Sequence, residues 1–118
     1  MKKKYLILGA SGFIGKNLTN HFSKFEDIEL FGTYYKSNDN YIKNINIINA
    51  DLTKKTDVEK VVKGMDVIIQ AAAITSGAED VVNNPVSHIT DNVIMNSLIF
   101  RAAHDYKIKH IVFFSCSV

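Results

Sequence analysis

Three glycines spaced by three, Gly9-x-x-Gly12-x-x-Gly15, are the residues in this sequence best suited to chemistry. They follow an apolar run, Lys4-Tyr5-Leu6-Ile7-Leu8, and precede a helical pattern. Gly9 permits a tight turn between the two. Gly12 has no side chain, so a pyrophosphate can approach the backbone. Gly15 lets the helix pack close to a sheet. The start of that helix offers free N–H groups and the positive end of its dipole, which suits phosphate. Ser11, Phe13 and Ile14 lie inside the same turn and join the candidate contact set. The competing reading is a glycine-rich turn with no ligand. Its weakness is the context: the pattern leaves a strand, opens a helix and is followed by further strand–helix units.

Other residues extend the site. The end of the second strand, Gly32-Thr33-Tyr34-Tyr35-Lys36-Ser37-Asn38, has no carboxylate before Asp39. An NAD site usually places Asp or Glu there for the ribose 2′-hydroxyl, whereas an NADP site tends to have a basic residue. Lys36 can pair with a 2′-phosphate, so the sequence leans to NADP over NAD; the plain alternative is a solvated loop lysine. Asp51-Leu52 follows the third strand. The aspartate is suited to accept from an adenine amino group while Leu52 packs on the ring; otherwise Asp51 caps a helix. Ala71-Ala72-Ala73 follows the fourth strand, and small side chains there let backbone lie against a cofactor, or simply pack closely. His21, His88, His104 and His110 have no metal-ligand spacing, and no metal site is expected. No Cys–His nucleophile pair or paired carboxylate stands out.

The elements that must position these residues alternate. Strands are predicted at Lys4–Leu8, Glu29–Tyr34, Ile45–Ile48, Asp66–Gln70 and His110–Phe114. A helix carries Ile14, Leu18, Phe22 and Phe25 on one face. A short helix carries Val58, Val61 and Val62, with Thr53 or Thr56 as cap and Gly64 as a left-handed stop. A long helix opens at Pro85, capped by Asn83 or Asn84, and runs to about Tyr106. Its apolar residues Ile89, Val93, Ile94, Leu98, Ile99, Ala102 and Ala103 cover a wide arc, which predicts a largely buried helix. Lys36–Lys43 and Ala71–Asn84 read as loops. Alternating strands and helices call for a parallel sheet with right-handed crossovers. The fold class expected is α/β: a Rossmann-type doubly wound parallel sheet, strand order 3-2-1-4-5, in three αβα layers.

The gross numbers fit one domain spanning 1–118. The chain has 118 residues, 47% hydrophobic and 22% charged, with a net charge of +2. That balance gives no reason to expect nucleic acid or an anionic membrane as partner. Lys2-Lys3-Lys4 reads as a solvated strand entrance. No apolar run approaches the ~20 residues of a membrane span. The glycines interrupt any signal-peptide core, and the single cysteine fits a reducing compartment, so cytoplasm is expected.

Together these residues resemble the extended short-chain dehydrogenase/reductase family, the NAD-dependent epimerase/dehydratases that act on nucleotide sugars. Gly9-Ala10-Ser11-Gly12-Phe13-Ile14-Gly15 is similar to its glycine motif, Asp51-Leu52 to its adenine-contacting Asp, and Asp66 to Ala73 to its fourth-strand motif, with Gln70 where a His is common. Asn92-Val93 resembles the family's Asn, which helps order the active site. In that family the fifth strand ends at an active-site Ser or Thr. Counting from the strand, that position falls on Cys116, with Ser115 and Ser117 beside it, so the hydroxyl's identity stays open. A Tyr-x-x-x-Lys follows in the family; Tyr106 with Lys109 has the wrong spacing and precedes the strand. The resemblance therefore implies a cofactor-binding portion cut off before the catalytic Tyr and Lys and the substrate domain, inactive alone. It implies a homodimer when full length, and a small nucleotide-sugar substrate. The alternative is a non-catalytic NAD(P)-binding or redox-sensing module of the same fold.

Overall fold

The computed structural model describes residues 2–36, 45–73, 83 and 85–114. The chain runs β1 (Lys3–Leu8), α1 (Phe13–Phe22), β2 (Ile28–Tyr34), β3 (Asn46–Asn49), α2 (Lys55–Val62), β4 (Val67–Gln70), α3 (Pro85–Asp105) and β5 (His110–Phe113). The strands form one five-stranded sheet in the order β3-β2-β1-β4-β5. All four pairings are parallel, with Ile7 opposite Gly32 on one side and Ile69 on the other. The expected doubly wound order is therefore the one observed. The loop expected at Lys36–Lys43 lies almost wholly outside the described residues.

Alternate residues of the central strands feed two apolar layers. Leu6, Leu8 and Ile68 pack with Val58, Val61 and Val62 of α2 and Met95, Ile99, Ala102 and Ala103 of α3. Ile7, Leu30 and Ile69 point the other way and pack with Leu18 and Phe22 of α1. Both faces of β1 and β4 are covered, which is why Leu6-Ile7-Leu8 and Val67-Ile68-Ile69 are apolar without alternation. Ordinary hydrogen bonds align the strand entrances: the Lys4 N–H donates to Asp66 Oδ2 at 2.8 Å, and the Asp66 N–H donates to the Lys4 carbonyl at 2.9 Å.

Several local expectations are corrected. Neither Thr53 nor Thr56 caps α2; its first flanking residue is Lys54, with no side-chain cap bond. Thr53 is instead bound to Asp51. Phe25 lies beyond α1 and is exposed, as is Ile14. The inner side of α1 is made by Gly15 and Thr19, with Leu18 and Phe22 partly buried beside them. Thr19 escaped a reading based on hydrophobicity because its hydroxyl is satisfied within its own helix, donating to the Gly15 carbonyl at 2.6 Å. Gly64 does stop α2 in the left-handed conformation, at φ +83.

The largest correction concerns α3. Met95, Ile99, Ala102 and Ala103 are buried, but Val86, Ile89, Val93, Ile94 and Phe100 are exposed. The wide apolar arc is real, yet only one side of it meets the sheet and α2. The edge strand adds to this surface: Val112, Phe113 and Phe114 are exposed, and the Phe100 and Phe113 rings sit 5.4 Å apart. Pro85 begins the helix as expected, while Asn84, one of the two cap candidates, is outside the described residues.

The glycine turn dictates how close α1 comes to β1. A Cβ on Gly15 would collide with the carbonyl oxygen of Gly9 and stand 2.8 Å from Ala10 Cα. Backbone cannot yield as a side chain would. Gly15→Ala is therefore expected to destabilise the fold by about 3 kcal/mol. Gly12→Ala, whose Cβ meets only the Gly9 carbonyl oxygen at 3.5 Å, should cost less than about 1 kcal/mol through the weaker helix start. Urea unfolding of the two variants checks this, and equal losses would contradict it.

Candidate functional site

The chemistry-bearing residues converge at the carboxyl ends of the parallel strands, where ligands of open α/β sheets bind. The turn after β1 is held from two sides. The Gly9 N–H donates to Thr33 Oγ1 at 3.0 Å and the Ala10 N–H to the Thr33 carbonyl at 2.8 Å, tying it to β2. On the other side, a Cβ on Gly9 would stand 2.6 Å from Ala72 Cα, so the backbone after β4 lies directly against the turn. Gly9 also takes φ +78, a conformation that glycine adopts without steric cost. Gly12 is the residue preceding α1 and is exposed, so backbone at the helix start is open to a ligand.

Around this turn opens a cleft of about 880 Å³. Every residue expected to bind a dinucleotide lines it except Gly15, whose part is the helix–sheet contact. Gly9, Ser11, Gly12, Phe13 and Ile14 form one wall. Phe13 is 85% exposed, an aromatic side chain placed at the mouth rather than in the core. Lys36 lines the cleft with its Nζ 5.6 Å from the centre of the Tyr35 ring, a cation–π contact. Ala71, Ala72 and Ala73 form the floor between turn and α3.

Asp51 and Leu52 line the same cleft. Asp51 Oδ1 accepts from the Thr53 N–H at 3.0 Å and from the Thr53 hydroxyl at 2.6 Å. Its own N–H donates to Asp57 Oδ2 at 2.9 Å. Thus Asp51 is oriented by a local turn. Leu52 is only 8% exposed and belongs chiefly to the core, so it offers a ligand an edge rather than a face. The Asp51 carboxyl is held below its usual range. The Thr53 hydroxyl is the main cause; partial desolvation opposes it, and the Thr53 N–H and the Lys54 ammonium add to the lowering.

Asn92 is half-buried on α3 and does not itself line the cleft; its neighbours Asp91 and Met95 do. Neither was singled out in sequence, and nor was Thr33. Thr33 had a legible signal, a hydroxyl at the strand end beside the glycine turn. Asp91 and Met95 had none, because their inward direction depends on the rotation of α3. Ser115, Cys116 and Ser117 lie outside the described residues. Tyr106, already excluded as the catalytic tyrosine by spacing, donates its hydroxyl to Glu59 Oε2 at 3.3 Å, tying the residue after α3 to α2 away from the cleft. Burial, then the Glu59 carboxylate, raises its pKa. Among the described residues no group of three or more His, Cys, Asp or Glu could hold a metal ion.

The lowered Asp51 pKa has a definite sign. The carboxylate bonds stabilise the fold when Asp51 is ionised and are lost as pH falls through the depressed folded value. Thr53→Val removes the hydroxyl donor. It should move the Asp51 pKa upward, read by the pH titration of its carboxyl carbon in NMR. An unmoved titration would mean that the Thr53 hydroxyl does not hold the carboxylate.

Comparison with known proteins agrees with this geometry. The NAD dependent epimerase/dehydratase family model matches residues 5–118. The chain is 32% identical over 120 residues to the bifunctional polymyxin resistance protein ArnA of Wigglesworthia glossinidia brevipalpis, covering 98% of this chain and 18% of that protein. It is 30% identical over 111 residues to GDP-L-colitose synthase of Yersinia pseudotuberculosis, covering 92% of this chain and 32% of that one. The crystal structure of PbgP3 protein from Burkholderia pseudomallei superposes with a TM-score of 0.82 at 33% identity, over 96% of this chain and 38% of that one. The chain thus spans about a third or less of the curated relatives named here. A strand–glycine turn–helix unit, the sheet order and a family match over almost all of the chain point one way: this chain belongs to the NAD dependent epimerase/dehydratase family.

Proposed function

We propose that the chain is the cofactor-binding portion of an NAD(P)-dependent enzyme acting on nucleotide sugars as an epimerase, dehydratase or reductase. The observation that carries this reading is the cleft itself. One opening collects an exposed glycine turn at a helix N-terminus, a lysine at the end of β2 and an oriented carboxylate after β3. The residues fit a dinucleotide: a Cβ on Gly12 would reach only the Gly9 carbonyl, so phosphate has room to approach. GDP-L-colitose synthase, among the relatives, supports the nucleotide-sugar class by its name.

When bound, the dinucleotide would supply hydride transfer to or from a substrate carbon. The residues of this chain would bind and orient. The amides of the glycine turn and the start of α1 would hold the pyrophosphate. Asp51 would accept from the adenine amino group through Oδ2, since Oδ1 is engaged by Thr53. Ala71, Ala72 and Ala73 would lie against the cofactor, small enough not to block it. Lys36 would leave the Tyr35 ring to meet a 2′-phosphate, so NADP is preferred to NAD.

Asn92 would order the active site, and one of Ser115, Cys116 and Ser117 would stand at the family's Ser/Thr position. The Tyr-x-x-x-Lys and the substrate domain would follow residue 118. The exposed apolar side of α3 supports the homodimer expected of the whole protein. Among the described residues no helix is long and apolar enough to cross a membrane. We place the site of action in the cytoplasm on the strength of the single cysteine.

Calorimetry with NAD and NADP tests the binding claim. Gly12→Val sets two methyls where phosphate must sit, and affinity should fall at least tenfold, about 1.4 kcal/mol. A folded variant with unchanged affinity would remove the cofactor assignment. Lys36→Ala should weaken NADP more than NAD. Equal weakening, or a wild-type preference for NAD, would overturn the role given to Lys36.

A further inference from the structure

Three polar side chains are buried among the described residues: Thr19, Thr33 and Gln70. Thr19 closes on its own helix and Thr33 on the glycine turn. Gln70, the last residue of β4 and 3% exposed, does something else. Its Oε1 accepts from the Ala72 N–H at 3.0 Å, and its Nε2 donates to Asn96 Oδ1 on α3 at 2.8 Å. Chemistry fixes both amide orientations. A backbone N–H only donates, so it must face the Gln70 oxygen, and the Gln70 NH₂ must then find an oxygen on Asn96.

Ala72 is the residue whose Cα lies against Gly9, and it lines the cleft. Its N–H, taken up by Gln70, is turned away from any ligand. Asn96 sits next to Met95, which is buried and lines the cleft from α3 about one turn beyond Asp91. One carboxamide therefore joins the backbone floor of the cleft to the helix that walls it. We propose that the Gln70–Asn96 pair is a positioning device for the cofactor, setting the place of the Ala71–Ala73 floor against the glycine turn without touching the ligand. Without it, the Ala72 N–H must turn toward the cleft to find a partner in water, and the floor moves off the Gly9 contact on which the shape of the cleft depends.

This inference rests on the proposed dinucleotide binding, and the test separates the two. Dinucleotide affinity is measured by calorimetry on the full chain, wild type and variants, with folding checked by circular dichroism. Gln70→Met keeps the volume and removes both bonds; Asn96→Leu removes the partner from a half-buried helix position. Each should weaken binding by about fivefold to tenfold, the upper part of the range that one net hydrogen bond contributes to an equilibrium constant. The double variant should bind no more weakly than the weaker single, because the two act as one unit. Asn96→Asp keeps an oxygen for the Gln70 NH₂ and should stay within about threefold of wild type, a rescue that general loosening of α3 would not give. If Gln70→Met does not fold, Asn96→Leu against Asn96→Asp decides. Wild-type affinity in either apolar variant, losses that multiply in the double, or failure of the Asp rescue overturns the inference while leaving the proposed function standing. No binding by the wild type overturns both.

Discussion

The backbone around Gly9 has no spare room, and the arrangement of the site follows from that. Gly15 comes up against the Gly9 carbonyl from one direction, Ala72 Cα against Gly9 Cα from another, and Thr33 grips the Gly9 N–H from a third. Three elements, α1, β2 and the segment after β4, are thereby brought to one point. The cleft is the space left on the open side of that point. Backbone and small side chains form it around Gly9, Gly12 and Ala71–Ala73, where its shape is set by main-chain packing, while Phe13, Tyr35, Lys36 and Met95 line the rest.

Covering both faces of the sheet makes this crowding tolerable. Leu6 and Leu8 look toward α2 and α3, Ile7 toward α1, and β4 repeats the alternation with Ile68 and Ile69. Apolar burial on both sides of two adjacent strands fixes their height and register, so the ends of β1 and β4 stop together, at Leu8 opposite Gln70. The turn and the floor of the cleft both begin from that line. Polar groups near it are satisfied by neighbouring side chains: Thr33 for the turn, Gln70 for the Ala72 N–H, and Thr53 for Asp51.

Away from the cleft the fold is less closed. Val86, Ile89 and Val93 follow helical spacing along an exposed side of α3, and Phe100 continues toward Phe113 and Phe114 at the sheet edge. Helix periodicity marks residues that will share a face, but it does not say whether anything covers that face. The known relatives are longer than this chain, with 18% and 32% of two of them spanned by it.

What the sequence determined by itself is whatever depends on local order and residue type. Alternating strand and helix patterns, with right-handed crossovers, leave few topologies, and 3-2-1-4-5 is the one observed. The glycine turn was legible because only glycine serves where φ is positive and backbone meets backbone, and Asp51 and Lys36 were legible from their places after strands. Only the tertiary structure decided which way α3 is rotated. That rotation buries Met95 and Ile99 while exposing Ile89 and Val93, and turns Asp91 into the cleft. It also decided that Gln70 finds Asn96 across 26 positions of sequence. Each of these turns on what lies opposite a side chain in space, and partners far apart along a chain leave no mark in the spacing of either one.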